Sequence, residues 1–196
     1  ELLFMDLCRR LLKPDGGRAA IIVPEGALFG TSRAHVEVRR RWLTGTNVQA
    51  VVSLPAGVFR PYTNVKTAIV LAQTGQPTER VWFCPVESDG YSLDDRRSRR
   101  PGEDDLKHMA KAVRAVVAGR QPRSKAAKAL AERMWAVPVE DIVERGFSLS
   151  PSTYLQADLL ATTEQDPLGL LEEVDRLESE IQRELQAVGE LLRDVR

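Results

Sequence analysis

A chain of 196 residues, 43% of them apolar, is long enough to bury a core of its own, and 28 basic against 28 acidic residues leave no net field drawing the whole molecule to nucleic acid or an anionic membrane. No run approaches the ~18 apolar residues of a membrane span, and no basic-then-apolar leader opens the chain. Cys8 and Cys84, with no second Cys or His at metal spacing, are expected as buried free thiols in a reducing, cytoplasmic setting.

Leu2, Leu3, Met5, Leu7, Leu11 and Leu12 recur at helical spacing, and Lys13-Pro-Asp-Gly-Gly17 stops that helix with turn residues. The chain starts inside this pattern without an initiator Met, and the helix, turn and strand that follow make the second half of a βαβ unit, so a piece of a longer protein is expected. Three apolar runs read as strands: Arg18 to Pro24, Asn47 to Leu54 and Lys66 to Leu71. Two of them are apolar on successive residues, as strands covered on both faces are, which argues for the middle of an α/β sheet. Between the first two lies a helix capped by Thr31 or Ser32 and running to about Leu43, with Val36 and Trp42 inward and Arg39, Arg40 and Arg41 toward solvent. Lys66 to Gln73, the turn Thr74 to Pro77 and Arg80 to Val86 read as a β-hairpin, so the sheet is expected to be mixed.

Asp89 to Pro101 is polar, aperiodic and turn-rich, and is expected to close the sheet region. Its arginines, Arg96 and Arg97 among them, suit either a solvated loop or contacts to a DNA backbone, since Arg clusters neutralise phosphates. Leu106, Met109, Ala110, Val113, Val116 and Val117 build an amphipathic helix, followed by a basic linker from Gly119 to Lys128. Trp135 to Val139 and Phe147 to Tyr154 read as short extended segments and turns. From about Asp166 to Arg196, Val174, Ile181, Val188 and Val195 fall seven apart and form a coiled-coil seam; Glu184 interrupts it and Leu171, Leu185 and Leu192 widen it, so a two-stranded coil with a partner helix, a multi-helix bundle and a plain core helix are the readings, the terminal position favouring a partner. Charge is distributed unevenly: Lys107 to Arg133 holds eight Lys and Arg against one acid, whereas Glu172 to Glu184 holds six acids against two Arg.

Phosphate-loop, G-x-S-x-G and H-E-x-x-H motifs are missing, and His35 and His108 stand alone. The junctions Pro24 to Gly30 and Leu54 to Val65 combine Gly, Pro and aromatics at strand ends, where ligands gather in such sheets. Leu12-Lys-Pro-Asp-Gly-Gly-Arg-Ala-Ala-Ile-Ile-Val-Pro-Glu-Gly-Ala-Leu-Phe-Gly30, Ser53-Leu-Pro-Ala-Gly-Val-Phe59, Val65-Lys-Thr-Ala-Ile69, Asp89-Gly-Tyr-Ser-Leu-Asp-Asp95 and Phe147-Ser-Leu-Ser-Pro-Ser-Thr-Tyr154 occur in that order. Together they resemble the modification (M) subunit of type I restriction-modification systems, adenine-N6 DNA methyltransferases.

The resemblance implies the C-terminal half of a mixed-sheet, S-adenosylmethionine-dependent methyltransferase domain followed by a helical tail. Residues 1–100 would belong to that domain, 101–165 would connect, and 166–196 would form the assembly helix. Neither the family's glycine-containing cofactor turn nor its Asn-Pro-Pro-aromatic motif is present, so both are expected upstream, with no catalytic or cofactor-binding residue in this chain and no activity from it alone. What the chain would supply is the target-base side. Phe59 falls where related enzymes stack an aromatic on the flipped base, the alternative being a core plug under the loop; Tyr62 is the second candidate. Pro24 and Glu25 would border the pocket, or serve as a strand-end proline and a capping glutamate, and Lys66 would reach a phosphate or stay solvated. Implied partners are DNA, a specificity subunit, a second M subunit and a restriction subunit, with no membrane. The rival reading is a non-catalytic, DNA-contacting, coiled-coil assembly module.

Overall fold

Helix α1 (Leu2–Leu11) opens the computed structural model, which describes residues 1–154. Glu1–Thr153 cluster into one unit; the helix expected over 166–196 lies outside the described residues. Gly17 begins the turn into β1 (Arg18–Pro24) and has to be glycine, because a Cβ there would stand 2.6 Å from the Lys13 carbonyl oxygen. Then follow α2 (Glu25–Phe29), α3 (Arg33–Gly45), β2 (Asn47–Ser53) and β3 (Thr67–Gln73). Ser32 caps α3 by accepting from the His35 N–H. Two helices thus stand where the sequence suggests one, with Gly30 between them.

Arg80–Pro85 forms β4, Asp89–Tyr91 β5, Arg99–Asp104 β6, Asp105–Val117 α4, Lys125–Glu132 α5, Trp135–Pro138 β7 and Val139–Glu144 α6. The sheet order is β1-β3-β2-β4-β7, antiparallel at every pair except β2 with β4, so the sheet is mixed as expected. The hairpin does not form. β3 sits between β1 and β2, and the chain after Gln73 must cross the starting edge of β2 to reach β4 on its far side. Polar side chains fix that crossing: Thr74 Oγ1 accepts from the Gly17 N–H at 2.8 Å, and buried Thr78 Oγ1 accepts from the Val48 N–H at 2.9 Å and donates to the Thr46 carbonyl at 2.8 Å. A turn signal between two apolar runs does not reveal that another strand occupies the slot.

β2 is buried on both faces, with Val48, Ala50, Val51 and Val52 all enclosed. β1 is an edge strand among the described residues, and Ile22 is 53% exposed, against the reading of a fully covered run. One face of the sheet packs on α4 and α5 through Ala50, Val52, Leu54 and Cys84 against Met109, Ala112, Val113 and Leu130, each large apolar side chain contributing ~1.5–3 kcal/mol by leaving water. Trp42 of α3 is enclosed and donates its indole N–H to the Met5 carbonyl, joining α3 to α1. β7 pairs with β4, Phe83 stacking on Trp135 at 5.8 Å, so the connecting region drawn at 101–165 contributes a strand and the sheet does not end near residue 100. Asp89 to Pro101 is likewise a two-stranded ribbon, β5 with β6, and the basic linker turns into α5 from Lys125.

Arg39 departs from its expected exposure. It is 1% exposed, unlike Arg40 and Arg41, which pair with Glu37 at the surface. Its guanidinium donates to the carbonyls of Phe147 (2.7 Å), Ala27 (3.1 Å) and Gly146 (3.2 Å). Three consecutive arginines give no sign of which one turns inward; only the pitch of α3 against α2 and the 146–150 segment does. Of the two cysteines, both free, Cys84 is buried as expected and Cys8 only half-buried.

Candidate target-base site at the strand ends

Antiparallel insertion of β3 brings its first residues to the end of the sheet where β1, β2 and β4 finish. Both junctions that the sequence singles out therefore lie together. The Glu25 N–H donates to the Lys66 carbonyl at 2.9 Å, the Leu54 N–H to the Thr67 carbonyl at 2.9 Å, and the Val86 N–H to the Ser53 carbonyl at 3.0 Å. Pro24 pairs with Thr67 and caps α2.

Glu25 is the carboxylate of this edge. Lys66 Nζ lies 3.3 Å from one oxygen and Ser150 Oγ donates to the other at 3.1 Å. Lys66 is therefore already neutralised, although half of it remains in solvent. The 146–150 segment reaches Glu25 because it hangs from α2: the Leu149 N–H donates to the Leu28 carbonyl at 2.8 Å, and Arg39 holds the carbonyls of Gly146 and Phe147. Ser53 Oγ and Thr67 Oγ1, at the same edge, are buried with no hydrogen-bond partner among the described residues, which leaves two uncommitted polar groups there.

The loop after β2 makes one helical turn, in which the Phe59 carbonyl accepts from the N–H groups of Tyr62 and Thr63. Phe59 is half-buried against the cluster under α4, whereas Tyr62 is 93% exposed. The packing of Phe59 matches the alternative of a core plug, and it also holds the ring at a fixed place. Gly57, φ +91°, lets the loop press against the chain after β5, since a Cβ would lie 2.7 Å from the Leu93 carbonyl oxygen. Arg60 bridges the same two loops, 3.1 Å from Asn64 Oδ1 and 3.4 Å from Asp95 Oδ1.

In the β5–β6 ribbon the arginines divide. Arg97, φ +47°, turns inward to pair with the buried Asp89, donates to the Ser92 carbonyl at 2.9 Å and lies over the Tyr91 ring at 5.4 Å. It is a brace of the ribbon, which removes it from the phosphate-facing candidates. Arg96 stays exposed, as do Arg99 and Arg100, which line a cavity of about 350 Å³ with Lys107 and His108. Sequence reading missed Asp89, Ser150 and Arg39. Asp89 sits eight residues from its partner in a Ser-Asp-Gly turn that could have suggested it, while Ser150 lies 125 residues from Glu25 and nothing in spacing connects them.

A Cβ on Gly26 would meet nothing within 4 Å, Gly30 is crowded by the His35 ring, and Glu25 is engaged by Lys66 and Ser150. Among the described residues no three His, Cys, Asp or Glu side chains are grouped to hold a metal ion, and no helix is long and apolar enough to cross a membrane.

Residues 1–162 match the N-6 DNA Methylase family. The methylase subunit of the type I restriction enzyme EcoEI from Escherichia coli is 30% identical over 205 aligned positions, covering 98% of this chain and 36% of that protein, so the chain spans about a third of its relative's length. A chain from a structure of type I R-M system assembly and conformational transition is 30% identical, with TM-score 0.60, over 100% of this chain and 40% of that one. The M protein of EcoKI, 23% identical with TM-score 0.53 over 72% of this chain and 34% of that one, shows likeness of fold alone.

Proposed function

Because this chain belongs to the N-6 DNA methylase family, we propose that the complete protein is the modification subunit of a type I restriction-modification enzyme and transfers a methyl group from S-adenosylmethionine to the N6 amine of an adenine in DNA. This chain supplies the target-base side of that site. The single observation that carries the assignment is the convergence of Pro24, Glu25, Leu54 and Lys66 at one sheet end, beside the loop that bears Phe59 and Tyr62. The cofactor's own motifs are left to other parts of the protein, since neither the family's glycine-containing turn nor its Asn-Pro-Pro-aromatic motif stands in this sequence.

A base taken out of the duplex loses stacking worth a few kcal/mol, and an aromatic face returns ~1–3 kcal/mol of it. Phe59 offers a ring fixed by its packing and is the first candidate; Tyr62 offers a free ring and is the second. Exposed Arg96 is the first candidate for a contact to the DNA backbone, and Lys66, half in solvent beside Glu25, is the second. The complete subunit works in the cytoplasm with DNA, a specificity subunit, a second modification subunit and a restriction subunit, and the heptad-patterned segment after Asp166, outside the described residues, is assigned to docking in that assembly. Deleting Leu171 to Arg196 tests this last point: co-purification with the specificity subunit should be lost while cofactor binding stays.

The direct test of the base-side assignment is Phe59→Ala, Phe59→Leu and Tyr62→Ala in the complete subunit. Loss of ~5–150-fold in methylation rate with cofactor affinity unchanged is expected for the stacking ring, with Leu no substitute for Phe. Wild-type turnover in all three variants would refute the assignment.

A further inference from the structure

The most one-sided run of charge in the chain folds around a second cavity. Lys111 and Arg114, three apart on α4, face one side of that helix. Gly119, φ +66°, turns the chain, with the Arg120 N–H closing on the Ala115 carbonyl at 2.8 Å, and Ser124 then caps α5 by accepting from the Ala127 N–H. Lys111, Arg114, Arg120, Arg123 and Ser124 line an open cavity of about 550 Å³.

These four cations make no ion pair or side-chain hydrogen bond among the described residues. That distinguishes them from Arg9, Arg40, Arg41, Arg60, Arg97, Arg100 and Arg133, each of which has a carboxylate within reach. Among the described residues no acid lines the cavity, and like charges gathered there repel one another, which favours an entering anion. Three of the four are arginines, whose planar forks match phosphate oxygens in pairs, and a wide, open trough suits an extended chain of phosphates better than a single small anion. The cavity is also remote from the base-side loop. α4 starts beside the β5–β6 ribbon, and its far end, Val116 to Gly119, lies against Asn47 and Arg80 where β2 and β4 begin. Thirteen helical residues at ~1.5 Å each put ~20 Å between the two ends, about six nucleotide steps at ~3.4 Å.

We propose that Lys111, Arg114, Arg120 and Arg123 form a phosphodiester-binding trough that holds duplex DNA flanking the target, several base pairs away from the flipped adenine. The inference rests on the methyltransferase reading above and adds to it a second, sequence-independent point of DNA attachment.

The experiment uses the complete, assembled enzyme carrying Arg114→Gln, Arg120→Gln and Arg123→Gln together, with two duplexes: one ending about three base pairs beyond the target on each side, the other extending well past the trough. For the long duplex the slope of log affinity against log salt should fall by ~2–3 relative to the unsubstituted enzyme, near ~0.9 per phosphate released, while the slope for the short duplex stays the same. The corresponding triple Arg→Lys variant should keep most of the long-duplex slope, because it keeps the charge. An unchanged long-duplex slope in the Gln variant overturns the proposal. So does loss of partner subunits with the DNA slope intact, which would assign the trough to an acidic protein surface. Methyl transfer by the unsubstituted enzyme to the short duplex, measured alongside, reads the function on which the proposal rests, so the two failures are told apart.

Discussion

Replacing Arg39 with Met tests whether the support behind Glu25 is built as described. The side chain keeps an aliphatic stem of similar reach but loses its donors to the carbonyls of Ala27, Gly146 and Phe147. Each charge-assisted hydrogen bond contributes ~1.5–3 kcal/mol, and the Ala27 carbonyl, the buried one of the three, costs a further ~1–3 kcal/mol when left without a donor. Removing the buried guanidinium recovers part of this as relieved desolvation, which brings the net loss to ~3–5 kcal/mol. At ~2–4 °C per kcal/mol for a chain of this size, the midpoint of thermal unfolding should fall by ~10 °C. The loss should concentrate where two successive left-handed residues, Gly146 at φ +65° and Phe147 at φ +60°, present their carbonyls to the guanidinium, so limited proteolysis should open near residues 146–150 first. Arg39→Lys, whose ammonium cannot span all three oxygens, should fall between. Urea unfolding is the assay, and a cost below ~1 kcal/mol for Arg39→Met with no new cleavage near 146–150 would refute the account.

Hydrogen bonds from Arg40 and then Arg41 hold the Glu37 carboxyl down to about 2 from the ordinary 4.5. A folded-state value below the unfolded one means that this contribution is fully present above pH ~4.5, declines as pH falls and is gone below ~2; a carboxyl NMR midpoint at the ordinary value would contradict it. Burial pushes the Cys84 thiol up to about 12, so at pH 8 a thiol reagent should modify Cys8 alone in the folded protein and both cysteines in urea; labelling of folded Cys84 would show that β4 is more open than described. Thr78→Val should cost ~2–4 kcal/mol in urea unfolding, because it strands the Val48 N–H and the Thr46 carbonyl in the interior, and a neutral substitution would mean that the crossing past β2 is held by something else.

The elements were mostly legible because their signals are local. The Lys13 to Gly17 stop, the Ser32 cap and the apolar runs of β2 and β3 depend on neighbouring residues only, and they sit where the pattern puts them. Pairing was not legible. The hairpin reading failed because β3 meets β1 and β2 on its two sides, a choice made by the whole sheet and by hydroxyls such as Thr78 that look like ordinary loop residues. The arginines show the same limit from the other direction: composition marks Arg39 and Arg97 as surface charge, yet carbonyls and a carboxylate on other elements draw both inward. At the candidate site, the two junctions could be found from Gly, Pro and aromatic content, whereas the Glu25–Ser150 contact could not, because its partners are joined only through the hanging of 146–150 on α2.

Strand order also dictates an order of assembly during synthesis. Among the described residues β1 pairs with β3 alone, and β2 with β3 and β4, so none of the rungs these strands make with one another can form until Thr67 and the residues after it have been made. Before then Arg18–Pro24 and Asn47–Ser53, two apolar strands, are without the neighbour they share. Arrival of a single seven-residue strand then joins both at once, and with them the two junctions that make up the strand-end site. A nascent chain stalled before β3 should be a strong client for chaperones that bind extended apolar segments, and one stalled just after Gln73 has cleared the ribosome a much weaker one.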